Sequence, residues 1–151
     1  IVLSYAQVTG LHDLVVHDYG PGRLMISLHA EVPAHGDIMA LHDEIDNIEQ
    51  RLRRELGCAA TIHMDPIVTD GSVTALKEQV AALVKQVDPG LTIHDFRVVR
   101  GTTHDNLIFD AVLPFSSSKT PTQAAQEIRA LVRAMDGNYY AVVTVEHSYT
   151  D

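Results

Sequence analysis

The chain contains one cysteine, Cys58, among 151 residues. A single thiol excludes an intrachain disulfide and any cysteine-based zinc finger, and it fits a reducing, cytosolic setting. Basic residues are scarce as well: 11 Lys and Arg stand against 20 Asp and Glu, a formal net charge of −9. No basic stripe exists to displace counterions from a phosphate backbone, so nucleic acid is excluded as a partner. The same balance argues against adsorption to an anionic membrane surface. Apolar runs fall far short of the roughly 20 residues that a membrane-spanning helix needs. The start, Ile1-Val2-Leu3-Ser4-Tyr5, has neither a basic segment nor an initiator Met, so no signal peptide is read there. A chain opening on Ile1 is expected to be cut from something longer.

What is present is a 46% hydrophobic content, enough for a core in one domain or two small ones, and nine histidines. An acidic chain rich in imidazole suits the handling of cations. His12, His29, His42, His63 and Asp65 make one coherent set of metal-ligand types, since imidazole and carboxylate suit zinc and its borderline neighbours. They lie in four separate segments, so only a fold can bring them together.

An internal repeat organises the chain. Leu11-His12-Asp13 resembles Ile93-His94-Asp95. Each precedes a Gly-containing turn and an alternating strand, Arg23 to Val32 in the first copy and Asn106 to Leu113 in the second. An amphipathic helix follows each time, then a last strand, Ala59 to Asp65 or Tyr140 to Glu146. A further helix, Thr74 to Val87, precedes the second copy, and residues 1–8 read as the tail of its counterpart. The fold class expected is α/β (α+β), a tandem duplication of an α-β-β-α-β unit, with lobes at 1–69 and 70–151. Each lobe is a small sheet with helices on one face.

Strand alternation then sorts the candidates. Leu24, Ile26, Leu28, Ala30 and Val32 point one way, leaving Met25, Ser27, His29 and Glu31 opposite. In the last strand Ala60, Ile62 and Met64 leave Thr61, His63 and Asp65 opposite. His29, His63 and Asp65 thus share the face turned away from the helices. His42 sits at the edge of a helix stripe made of Ile38, Leu41, Ile45, Ile48, Leu52 and Leu56, where it reaches a rim or a neighbouring subunit. His12 opens the first strand. His17, His35 and His104 read as surface residues and His147 as a packed imidazole. In the second copy His94 replaces His12, Asp110 replaces His29, Glu146 replaces His63, Ser148 replaces Asp65 and Ala125 replaces His42. That copy is a degenerate metal site or a purely structural lobe.

Residues 10–68 resemble the cytosolic C-terminal domain of cation diffusion facilitator transporters, the zinc and divalent-metal/proton antiporters. The resemblance rests on Gly10-Leu-His-Asp-Leu14, the Gly20-Pro-Gly22 turn, Leu28-His-Ala-Glu31, His42-Asp-Glu-Ile45 and Ile62-His-Met-Asp-Pro66. It implies a metallochaperone-like, ferredoxin-like sandwich that dimerises. It also implies Zn2+ bound near the dimer contact by His12, His29, His42, His63 and Asp65. The expected function is a non-catalytic regulatory and dimerisation domain on the cytoplasmic face of the cell membrane, coupling divalent metal to its own membrane-spanning transporter domain. The membrane-spanning part is not in this sequence, and residues 71–151 extend beyond the single such domain usual in the family. Two other readings stay open: a tandem module that senses a small molecule such as an amino acid, and a metallohydrolase with Glu31 as general base.

Overall fold

Residues 1–147 are described by the structure, a computed structural model. The chain divides into two compact units, Ile1–Ile67 and Val68–Asp151.

In the first unit the apolar alternation of β2 (Leu24–Pro33) makes it the central strand. It pairs antiparallel with β1 (Gly10–Asp18) across a turn that Gly20 and Gly22 enter at φ 103° and 73°. Helix α1 (Ile38–Leu56) then crosses back, and β3 (Cys58–Val68) runs parallel to β2. Asp37 caps α1 by accepting from the Met39 amide at 2.9 Å. Gly57 ends it in the left-handed conformation at φ 63°. Leu41, Ile45, Ile48 and Leu52 form its buried stripe, and all but Leu41 pack with Leu28, Ala30, Cys58 and Ile62 in one core. Each such aliphatic side chain contributes about 1.5–3 kcal/mol on burial. Ile38 and Leu56, expected in that stripe, are 62% and 53% exposed because they fall at the helix ends, in the first and last turns.

Residues 1–8 are not the end of an α-helix. They form a single 3-10 turn, Val2–Ser4, which stops where Tyr5 turns extended. Val2 and Val8 still enter the core, and Gln7 is tied to α1 by two bonds to the Glu44 carboxylate.

The second unit has the full α-β-β-α-β order: α2 (Gly71–Val84), β4 (Thr92–Val99), β5 (Asp105–Leu113), α3 (Pro121–Arg133) and β6 (Tyr139–His147). α3 starts with a reciprocal cap, Thr120 and Gln123 each bonding the other's amide, with Pro121 following the cap. Leu107, Phe109, Ile128 and Val132 are fully enclosed in its core. Both units are α+β layers of the ferredoxin-like kind, a mixed sheet backed by helix.

The two units share an irregularity. Register passes from His12↔His29 to Val15↔Ser27 in the first hairpin, and from His94↔Asp110 to Arg97↔Ile108 in the second. Each is a bulge in which two residues oppose one. Asp13 and Asp95 make them, at φ 50° and 51°.

Candidate metal centre

One row of the first sheet carries three imidazoles. His12 pairs with His29 across β1 and β2, and His29 pairs with His63 across β2 and β3. Neighbouring rings stand 5.0 and 4.8 Å apart. Two residues along β3 the next row begins, and there Glu31 pairs with Asp65. Asp65 turns back beneath the rings. Its Oδ2 lies 3.1 Å from His12 Nε2 and 2.9 Å from His29 Nδ1, and its Oδ1 lies 3.3 Å from His63 Nε2. The carboxylate is buried, whereas the side chains of His12, His29 and His63 open progressively to solvent at 12%, 37% and 68%.

The spacing suits a borderline cation. Ligand atoms on a tetrahedral zinc at 2.0–2.1 Å lie about 3.3 Å from one another. The nitrogen–oxygen separations around Asp65 already span 2.9–3.3 Å. His29, His63 and Asp65 offer ligand atoms all within 4.8 Å, and so do His12, Asp13 and His29. The two groups share His29, and Asp13 joins the candidates through the bulge, a position that strand alternation alone does not foretell.

The charge state follows from the same contacts. Burial pushes the His12 imidazolium down, but hydrogen bonds and charge from Asp65 and Glu31 outweigh it and raise the group to about 9. Burial likewise pushes the Asp65 carboxyl up, and the hydrogen bonds from His12 and His29 outweigh that, holding it below its usual 3.8.

His42 stands apart from this cluster. It is exposed on α1 and belongs to no group of three ligand types among the described residues. It lines an open cleft with Asp46, Glu49, Met64 and His63. The strand side of that cleft is fixed by Glu49, whose carboxylate accepts from the Ile62 amide at 2.8 Å.

In the second unit the register corrects one assignment. Asp110 occupies the place of His29, and its partner on β6 is Thr144, so Thr144 and not Glu146 stands where His63 does. Glu146 takes the place of Asp65. Ser148, expected there, lies outside the described residues. His94 keeps a carboxylate neighbourhood, 3.1 Å from Asp95 and 4.0 Å from Asp110, but its side chain is 46% exposed. The imidazole row is gone. His104 is exposed beside Tyr140, and His147 stacks on Phe115 at 4.9 Å.

Residues 1–67 match the family model described as the cytoplasmic domain of cation efflux proteins. The first unit is similar to that family over its whole length. The match ends where the first unit ends, and residues 68–151 lie outside it. No curated protein matches the chain significantly. Within this unit the row of histidines over Asp65 is a set of groups able to hold a metal ion. No helix among the described residues is long and apolar enough to cross a membrane.

Proposed function

We propose that the first unit is a zinc-responsive, non-catalytic lobe of a divalent cation efflux transporter, acting at the cytoplasmic face of the membrane. The carrying observation is the buried carboxylate of Asp65, which lies within 2.9–3.3 Å of three imidazoles from three adjacent strands. His12, His29, His63 and Asp65 would hold Zn2+, or another borderline divalent ion, which supplies a fixed positive charge cross-linking β1, β2 and β3. His42, at the rim beside His63, is the ligand best placed to serve a second ion or a second copy of the chain.

A homodimer through this face fits the exposed side chains. Val15 and Met25 are 44% and 48% exposed, on the His29 side of the sheet by register. Metal bound between facing lobes would favour one packing, and linkage would bias an attached membrane domain toward transport. The second unit, with Thr144, Asp110 and Glu146 in place of His63, His29 and Asp65, serves as a structural lobe.

Light scattering on chelator-treated and zinc-loaded protein tests the dimer. Zinc should raise the dimer fraction, and His42→Ala should remove the zinc dependence while leaving one ion bound per chain. A monomer under both conditions at high micromolar concentration would exclude metal sharing between copies.

A further inference from the structure

A buried carboxylate in the first unit has no place among the five ligand positions. Glu31 is 2% exposed, on the same face as His29 and in register with Gly10 on one side and Asp65 on the other. Its Oε1 lies 3.1 Å from His12 Nδ1. The opposite ring nitrogen, Nε2, is the one aimed at Asp65, at 3.1 Å. With Nδ1 committed to Glu31, Nε2 is the atom left to face a metal.

The backbone makes room for this arrangement. A Cβ on Gly10 would fall 2.5 Å from Glu31 Oε2 and 2.8 Å from its Cδ. Any side chain at residue 10 would force the Glu31 carboxylate to shift from this position. The Thr9 amide also bonds the Glu31 carbonyl at 2.9 Å, so the strands are closed on both sides of the pair.

The second unit supplies an internal control. At the places of Gly10, Glu31 and Asp65 it has Thr92, Val112 and Glu146, in one register row. It retains the histidine and the bulge, yet His94 turns its Nδ1 to Asp95, and its side chain is 46% exposed against 12% for His12. The hairpin folds with valine in the middle strand. The glutamate and the glycine that accommodates it are therefore not required by the hairpin, and they occur in the unit that has the imidazole row.

We propose that Glu31 is a positioning residue, which locks His12 with Nε2 presented to the metal and which Gly10 admits. The assignment rests on the metal-binding reading of the first unit and adds the residue that sets one ligand. A carboxylate on the far nitrogen of a ligating histidine fixes the ring and raises its basicity, and losing one costs about 10- to 100-fold in metal affinity.

Chelator-treated wild-type chain, Glu31→Gln, Glu31→Val and Asp110→Asn are titrated with zinc against a chromophoric chelator. Fold is checked by circular dichroism, and the His12 ring by long-range 1H–15N NMR. Wild type and Asp110→Asn should bind alike. Glu31→Val should weaken zinc by about 10- to 100-fold, with Glu31→Gln between. Both variants should shift the His12 Nδ1 resonance, and the stoichiometry should not change. Should Glu31→Val fail to fold, the isosteric Gln variant and the NMR signal decide alone. Folded variants with wild-type affinity would overturn the assignment and leave the metal centre standing. A wild-type chain that takes up no zinc would overturn both.

Discussion

Asp13 and Asp95 hold the same left-handed backbone, φ 50° and 51°, each directly after the histidine that heads its hairpin. Aspartate is among the few residues other than glycine that tolerate this region, because its short polar side chain bonds locally. The Leu/Ile-His-Asp repeat is thus the sequence of a bulge. It sets where the histidine sits opposite β2 or β5, at His29 and Asp110 respectively.

Asp95 gives the clean test, because Asp13 is also a candidate ligand. Asp95→Gly should leave stability unchanged or slightly raised. Asp95→Val should cost about 1–3 kcal/mol, the cost of a β-branched residue forced to positive φ. Urea denaturation measures both. Equal stability for the two variants would contradict the strain argument.

Gly10→Ala should destabilise the first unit by about 1–3 kcal/mol, as overpacking does. The new methyl would stand 2.5 Å from the Glu31 carboxylate. The corresponding position in β4 is already Thr92, so Thr92→Ala should have little effect. Thermal denaturation of the two variants makes the comparison.

Much of this arrangement was readable from residue pattern. Alternation in β2 and β3 put His29, His63 and Asp65 on one face, because a strand's side-chain period of two survives any error in where the strand ends. The pairing along the strands was not readable. Placing Glu146 at the position of His63 sets β6 two residues out of register, which keeps the face and puts Glu146 in the wrong row. Helix length gives no guide to this register: α3 has 13 residues against 19 for α1, but longer loops on both sides of it offset the difference, so His29–His63 and Asp110–Thr144 are equally spaced along the chain. The role of Glu31 was invisible for another reason: its face was legible, but its burial depends on a missing Cβ at Gly10 in a different strand. His12 beside Asp65 depends on the bulge, a backbone feature that hydropathy does not encode.

The pH dependence of the cluster follows from its two shifted groups. His12 rises from 6.5 to about 9 on folding, so its contribution to stability is full below pH 6.5 and is lost as pH rises toward 9. Asp65 is held below 3.8, so its contribution is present above that value and lost as pH falls through its folded pKa. These are two sides of one ion pair and count once. In chelator-treated protein the melting-temperature gap between wild type and His12→Ala should be widest in the acid range above pH 3.8 and close toward pH 9. A gap that does not vary with pH would contradict the protonated state of His12.

Zinc must displace that proton, so binding near neutral pH should release at least one proton per ion. Calorimetric titrations in buffers of different ionisation enthalpy would give different apparent heats. Identical heats would show that His12 is not a ligand.

The metal centre is tested most directly by zinc affinity in Asp65→Asn and His94→Ala compared with that of the wild-type chain. Among the described residues Asp65 is the one carboxylate paired with all three imidazoles, and its amide variant keeps the shape while removing the charge. Asp65→Asn should weaken zinc at least about 100-fold, two decades or about 2.7 kcal/mol, while His94→Ala should bind as wild type. Wild-type affinity in Asp65→Asn, or a greater loss in His94→Ala, would place the metal outside the first unit and contradict it.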